Sequence, residues 1–348
     1  HGQLHFGLQS TNPKALELLK RKSGAELFKR KISFLILLGL LFFAEARSDT
    51  LLPSSLIFYD YPGSSVIVVD KSVCRLMVYR FQEEWELKQS FPCTTGKRGG
   101  DKIRAGDMRT PNGVYWLFKS WSGLELAEYY GKSANVYGVG AFELSYPNYL
   151  DLILYGKNGD GIWIHGTAED QPIATRGCIS IRNPDFLKLA DYVKLAETPV
   201  IIEEEVRFIS ADERNHLQQS MLAYLEQWRR TWESDDVESY LSFYSSDFRT
   251  GKWDFKSWSG RKRILNKKVD GRKIHLSDLS IFQSKGVYHI RFAQDYISSN
   301  INDIGIKELF VAEEQSRQRI ISEFWSRLKR PQPASLHYAF QGYEEPAL

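Results

Sequence analysis

Two kinds of hydrophobic spacing divide the chain. Short apolar runs at 66–70, 74–79, 113–118, 161–165 and 199–202, separated by clusters of Gly, Pro, Asn and Asp, predict strands joined by loops. The first two runs meet at Lys71-Ser72 and predict a hairpin. Asn183 followed by Pro184 predicts the cap and first position of a helix over 184–195. Residues 56–205 therefore predict a mainly antiparallel β domain with few helices. The polar stretch 206–216 predicts a boundary. Beyond it Leu217, Met221, Tyr224, Leu225, Trp228 and Trp232 recur at helical spacing and give one apolar face. A second short helix is expected over 236–244, then strands at 274–281, 287–292, 307–312 and 318–324. Helices followed by a run of strands predict a smaller α+β domain over 217–328, so the chain as a whole is of the α+β class. The Pro-containing tail, 329–348, reads as unstructured.

The N-terminal region follows neither pattern. Lys29-Arg30-Lys31 precedes an apolar run over 32–43, and Ala44-Glu45-Ala46 follows it. A basic segment, a short apolar segment and a small-x-small site read as a secretory signal, with 1–46 as extension plus signal. A buried helix or an uncleaved anchor remain the alternatives, because a membrane span needs about 20 apolar residues. Export to the periplasm is the expectation, with membrane contact only through this segment.

Export changes how the three cysteines read. Cys74 and Cys93 lie in strand-like segments, and either pair with each other, leaving Cys178 as the free thiol, or remain two reduced thiols. The formal net charge of +3 gives no argument for nucleic acid. Apolar content of 43% with 26% charged residues is that of a folded protein. No Cys/His metal spacing and no phosphate-binding glycine loop occurs, so neither metal nor other cofactor is expected.

The chemistry concentrates in one place. The strand 161–165 ends on His165, followed by Gly166-Thr167, and Cys178 comes thirteen residues after the histidine within Thr175-Arg176-Gly177-Cys178-Ile179-Ser180. A cysteine is a useful nucleophile only beside a base or a positive neighbour, which His165 can supply. Gly177 allows a sharp turn, and the amides of Gly177 and Cys178 are candidate donors to a tetrahedral oxyanion.

These residues resemble the signature of L,D-transpeptidases with a YkuD-type catalytic domain. The resemblance extends to the hairpin 68–79, to Thr94-Thr95-Gly96 and to Thr110-Pro111-Asn112-Gly113-Val114-Tyr115, covering about 60–205. It implies an exchange at an L,D bond of peptidoglycan stem tetrapeptides, with Cys178 forming a thioester and His165 as general base and acid. The Gly166 carbonyl would orient the imidazole. The resemblance also makes Thr175, Arg176, Gly177, Ser180 and Tyr146 the residues for oxyanion or substrate contact. Arg176 and Ser180 depart from the common pattern, in which His or Ser precedes Gly-Cys and Asn or Arg follows two residues later. Arg176 then either pairs with a substrate carboxylate, lowers the thiol pKa by its charge, or is solvated. An amine acceptor gives transpeptidation and water gives carboxypeptidation; a non-catalytic wall-binding scaffold is the competing class.

The segment 140–148, Gly140 to Asn148, resembles the subgroup that contains cell-shape L,D-carboxypeptidases. Residues 217–325 resemble a nuclear-transport-factor-like (SnoaL-like) domain, whose cone-shaped fold serves as catalytic pocket, glycan-binding module or dimer interface. In it Arg249, Lys252, Lys256, Arg261, Lys262, Arg263, Lys267, Lys268, Arg272 and Lys273 form a basic run broken by Asp254 and Asp270, with Trp253, Phe255 and Trp258 interleaved. That run reads either as a solvated face or as a site for anionic glycan strands or lipid head groups.

Overall fold

The structure, a computed structural model, describes residues 51–328 except 170, 171, 173, 235, 270 and 300; the signal segment and the tail lie outside the described residues. The strands in chain order are β1 (Leu52–Pro53), β2 (Leu56–Phe58), β3 (Ser65–Asp70), β4 (Arg75–Phe81), β5 (Trp85–Pro92), β6 (Gly113–Ser122), β7 (Gly140–Leu144), β8 (Trp163–Thr167), β9 (Ile179–Arg182), β10 (Pro199–Glu203) and β11 (Phe208–Ile209). Eight of them form one sheet in the order β5-β4-β3-β10-β6-β7-β8-β9. Only the β3–β10 and β8–β9 pairs in it are parallel.

The apolar runs form strands because the middle of this sheet is buried on both faces. On one face Ile67, Val69, Leu76, Val78, Tyr115, Leu117, Val200 and Ile202 join Phe186 and Leu189 of a helix, α3 (Asn183–Ala190). On the other, Val66, Val68, Met77, Tyr79, Val114, Trp116 and Ile201 pack with Leu56 and Phe282. Two earlier helices complete this part: α1 (Gly123–Tyr130), continued by a 3₁₀ helix at Gly131–Tyr137, and α2 (Tyr149–Ile153).

The second domain contains α4 (Ala211–Glu233), α5 (Val237–Leu241) and α6 (Phe255–Asn266). Its strands are β12 (Tyr244–Thr250), β13 (Trp253–Asp254), β14 (Lys273–Ser284), β15 (Val287–Ile297), β16 (Asn302–Glu314) and β17 (Arg317–Arg327). Its sheet runs β13-β12-β17-β16-β15-β14-β2. The apolar stripe of α4 (Met221, Leu225, Trp228) closes over this curved sheet against Ile281, Ile290, Phe292, Leu309 and Val311. The chain is thus an α+β protein with a strand-rich first domain followed by a cone-shaped one.

The junction differs from the expected boundary. Strand β2, at the head of the first domain in sequence, is the edge strand of the second domain's sheet, antiparallel to β14. Residues 206–216 are not a linker: β11 pairs with β1, and α4 begins at Ala211 under a Ser210 cap that accepts from the Glu213 amide. Arg214 is buried there because it donates to the Leu56 carbonyl (2.9 Å) and pairs with Asp60. Trp116 packs on Phe282 (6.3 Å) and His289 (5.1 Å), and Tyr149 packs on Phe324 (4.9 Å). Each large apolar side chain buried in such a layer contributes roughly 1.5–3 kcal/mol. The two domains therefore share a core and are not joined as beads.

Candidate active site

Strands β7, β8 and β9 place their side chains on two faces, as alternation requires. Phe142, Ile164, Ile179 and Ile181 point into the main core. The other face carries Ala141, Trp163, His165, Cys178 and Ser180. Register sets their relation: Ile164 lies opposite Ile179 and His165 opposite Ser180, so Cys178, two residues before Ser180, is a diagonal neighbour of His165 on the same face. The α1 and 3₁₀ segment covers this face, so that Leu126, Ala134, Ala141 and Trp163 form a small apolar cluster against which Tyr130, Tyr137 and Cys178 pack.

His165 is 5% exposed, and its Nδ1 lies 2.8 Å from the Gly166 carbonyl. A carbonyl only accepts, so Nδ1 carries the proton and Nε2 is left as the basic nitrogen. Burial holds the imidazole pKa below its ordinary value, with the Gly166 hydrogen bond opposing. The Tyr137 ring meets the imidazole edge-on at 5.3 Å and itself packs at a tilt on the Trp163 ring, 5.0 Å away. Burial, and then the charge of Cys178, raise the Tyr137 phenol.

Cys178 is half-buried, and its Sγ donates to the Gly161 carbonyl at 3.4 Å. Packing around the sulfur pushes the thiol up to about 11, against the lowering effects of the Trp163 backbone and the buried Lys102 charge. With a depressed imidazole and a raised thiol, both groups are neutral at pH 7. Alkylation of Cys178 by iodoacetamide should therefore quicken about tenfold per pH unit from 7 to 10. Peptide mass mapping separates it from the exposed Cys74. A rate already level at pH 7 would show a preformed thiolate–imidazolium pair instead.

The loop before the thiol is braced from three sides. Thr110, fully buried, donates through Oγ1 to the Gly177 carbonyl (2.8 Å) and accepts from the Gly96 amide (2.9 Å). Thr94 and Ser180 exchange two backbone hydrogen bonds of 2.9 Å, and Thr175 donates its amide to the Thr95 carbonyl (2.9 Å). Thr175 Oγ1 donates to the Cys178 carbonyl (2.6 Å) and accepts from the Gly177 amide (3.0 Å). The Thr-Thr-Gly and Thr-Pro-x-Gly segments are thus the outer supports of this loop.

Several expected site residues are placed differently. The Gly177 amide, expected to face an oxyanion, is taken by Thr175, so Thr175 shapes the loop. Tyr146 is 5% exposed in the main core, and its hydroxyl donates to the Asn158 carbonyl (3.4 Å). Arg176 is exposed, and Ser180 is 1% exposed with its hydroxyl unpartnered. Asn183 is not the helix cap, a place held by Arg182. Its Oδ1 instead accepts from the Val139 amide (3.0 Å) and lies so close to Gly138 and Gly166 that a Cβ at either would sit 2.0 or 2.4 Å from it. Asn183 thereby ties the Tyr137 segment to the backbone that orients His165. Cys74 and Cys93 are adjacent, the Cys93 amide donating to the Cys74 carbonyl (2.9 Å), and both are free thiols.

Residues 64–202 match the L,D-transpeptidase catalytic domain, YkuD, and residues 220–324 match the Cds6 C-terminal NTF2-like domain. The structure of Bdellovibrio bacteriovorus Bd1075 is 32% identical, covering 81% of this chain and 100% of that one, with a TM-score of 0.69. The chain belongs to the L,D-transpeptidase family. The helical cell shape determining protein Pgp2 of Campylobacter jejuni is 30% identical over 78% of this chain and 95% of its own, with a TM-score of 0.66. No curated protein matches the chain. The similarity to both structures spans the two domains, so the L,D-transpeptidase domain and its NTF2-like partner form one architecture here. As a member of this family the chain is a peptidoglycan-modifying protein.

Proposed function

We propose that the protein is an exported cysteine enzyme that opens the L,D bond of peptidoglycan stem tetrapeptides through a thioester on Cys178. The observation that carries the reading is the placement of His165 and Cys178 as diagonal neighbours on one covered sheet face, with Nδ1 on the Gly166 carbonyl and Nε2 left basic. Sγ gives its proton to Nε2 and attacks the carbonyl of the third stem residue. The bond to the terminal D-residue breaks, and the imidazolium protonates the departing amine. With the Gly177 amide bound to Thr175, the Cys178 amide is the backbone donor for the oxyanion, a contribution of about 3 kcal/mol in comparable sites. Arg176, exposed at the mouth of the loop, is the cation for a substrate carboxylate.

An amine acceptor completes transpeptidation, the leading reading. A water acceptor, trimming tetrapeptide to tripeptide, is the second, and the likeness to a helical cell shape determining protein across both domains favours it. Incubating pure protein with a defined disaccharide-tetrapeptide separates them: a cross-linked dimer supports transfer, tripeptide alone supports trimming, and unchanged substrate overturns both.

A further inference from the structure

The loop between β5 and β6 buries a lysine close to the thiol. Lys102 is 3% exposed, and among the described residues its Nζ has two acceptors, Asp107 Oδ1 (3.0 Å) and the Arg104 carbonyl (3.2 Å). One of the three N–H groups of the ammonium is left over. The Asp107 carboxylate also accepts from the amides of Ile103 (2.8 Å), Arg104 (3.0 Å) and Arg109 (3.1 Å). Burial opposes that carboxylate, but these amides and Lys102 outweigh it and hold the carboxyl well below the usual carboxylate range. Three amide dipoles thus share the negative charge of Asp107, which offsets the ammonium only in part.

The same loop is seated on both segments that hold the sulfur. On one side the Arg109 carbonyl lies against Gly177, where a Cβ would come within 2.9 Å of its oxygen. On the other, Asn158 donates its amide to the Ile103 carbonyl (3.0 Å) and accepts from the Ala105 amide (2.9 Å). From Asn158 the chain runs on to Gly161, whose carbonyl accepts from Sγ. The titratable and charged groups around Cys178 are His165 of β8, Tyr137 of the 3₁₀ helix, Arg176 in its own loop, and Lys102 with Asp107. Arg176 is exposed, so water and salt screen its charge. Burial raises the thiol, and Lys102 is the side-chain charge that works against it.

A sulfur packed against the apolar cluster of Leu126, Ala134, Ala141 and Trp163 ionises at a cost, because burial disfavours the charged form. We propose that Lys102 is a positioning residue of this site, a loop-anchored ammonium that holds negative charge on Cys178 as Sγ passes its proton to Nε2 of His165; the reaction it serves rests on the function proposed above. The proton goes to the imidazole, and the charge left on the sulfur is met through a poorly screened interior. Lys102 acts on the sulfur without touching it, which leaves Arg176 to the substrate carboxylate.

The test is the rate at which iodoacetamide alkylates Cys178 in the full chain at about pH 9, read by peptide mass mapping and normalised to folded protein. Lys102→Met keeps the aliphatic stem and removes the charge, so alkylation should slow about tenfold, the effect of one pKa unit. Lys102→Arg keeps the charge and should stay within about twofold of wild type. Lys97→Met removes an exposed cation whose amide donates to the Thr175 carbonyl (3.0 Å), and should leave the rate unaltered. A merely structural role for Lys102 gives the opposite sign, because a loosened loop uncovers the thiol and speeds its alkylation. Where Lys102→Met does not fold, Lys102→Gln, which keeps a donor for Asp107 without the charge, should show the same slowing. With a disaccharide-tetrapeptide, the neutral variants should lose kcat about tenfold and keep KM. Alkylation of the neutral variants at the wild-type rate or faster overturns the inference. Slowed alkylation, together with a wild-type protein that leaves the tetrapeptide unchanged, would sink the proposed reaction while the role of Lys102 stands.

Discussion

Replacing Cys178 by alanine will lower conversion of a disaccharide-tetrapeptide by about a thousandfold or more, because no other described thiol shares the face with His165. The substitution removes one half-buried sulfur that donates to the Gly161 carbonyl, so the thermal midpoint should change little. The measurement is the initial rate of tripeptide or dimer formation by liquid chromatography, with folding checked on the same sample. A carbapenem-type β-lactam gives a second readout: the wild-type protein should gain its mass at Cys178 and the alanine variant should not. This outcome also decides against a decayed scaffold, whose departures at Arg176 and Ser180 would have disabled the thiol. Equal rates for the two proteins would remove Cys178 from the chemistry.

The sequence discloses the parts of this molecule whose burial is local and uniform. Strands β3 and β10 and the first half of β6 are readable because nearly every residue there is buried, which leaves continuous apolar runs. Strand β5, Trp-Glu-Leu-Lys-Gln-Ser-Phe-Pro, is an edge strand exposed along most of its length and shows no such run. The start of α4 reads as polar boundary because its buried residue there, Arg214, is held by an ion pair and a carbonyl instead of apolar contacts. Helix α6 reads as a basic run because Trp258 and Ser259 are its buried residues.

At the site, His165 and Cys178 stand out by chemical type, and the threonine motifs stand out by resemblance. What those threonines do, supporting the loop from beneath, is visible only once the sheet brings 94–96 and 110 against 175–180. Tyr137 and Asn183 carry no signal, since an aromatic in a polar segment and an asparagine before a proline are common anywhere. Their meaning comes from tertiary contact with His165 and Gly166. Tyr146 lies in a stretch that resembles the family, and its ring is part of the hydrophobic core.

Gly177→Ala should cost activity about a hundredfold while Cys178 remains present and chemically intact. Gly177 has φ +140, a backbone conformation that side chains rarely adopt, and a Cβ there would lie 2.9 Å from the Arg109 carbonyl oxygen and 3.1 Å from Ile162 Cδ1. Ile162 can rotate, but the Arg109 carbonyl cannot easily retreat, because the next residue, Thr110, is fully buried and bonded to the Gly177 carbonyl. The loop must therefore move away from its support, and the thiol moves with it. Strain of this kind costs on the order of 1–3 kcal/mol, so the assay must be normalised to folded protein. Gly286→Ala is the control: it also has positive φ, 75, but nothing lies within 4 Å of its Cβ position, in the β14–β15 turn of the other domain. It should lower stability by about 1 kcal/mol and leave turnover intact. If the two alanine variants retain equal activity per folded molecule, the packing beneath Gly177 does not position the thiol. If Gly177→Ala alone fails, and its Cys178 still reacts with iodoacetamide, the loss lies in the aim of the sulfur toward substrate and not in its reactivity.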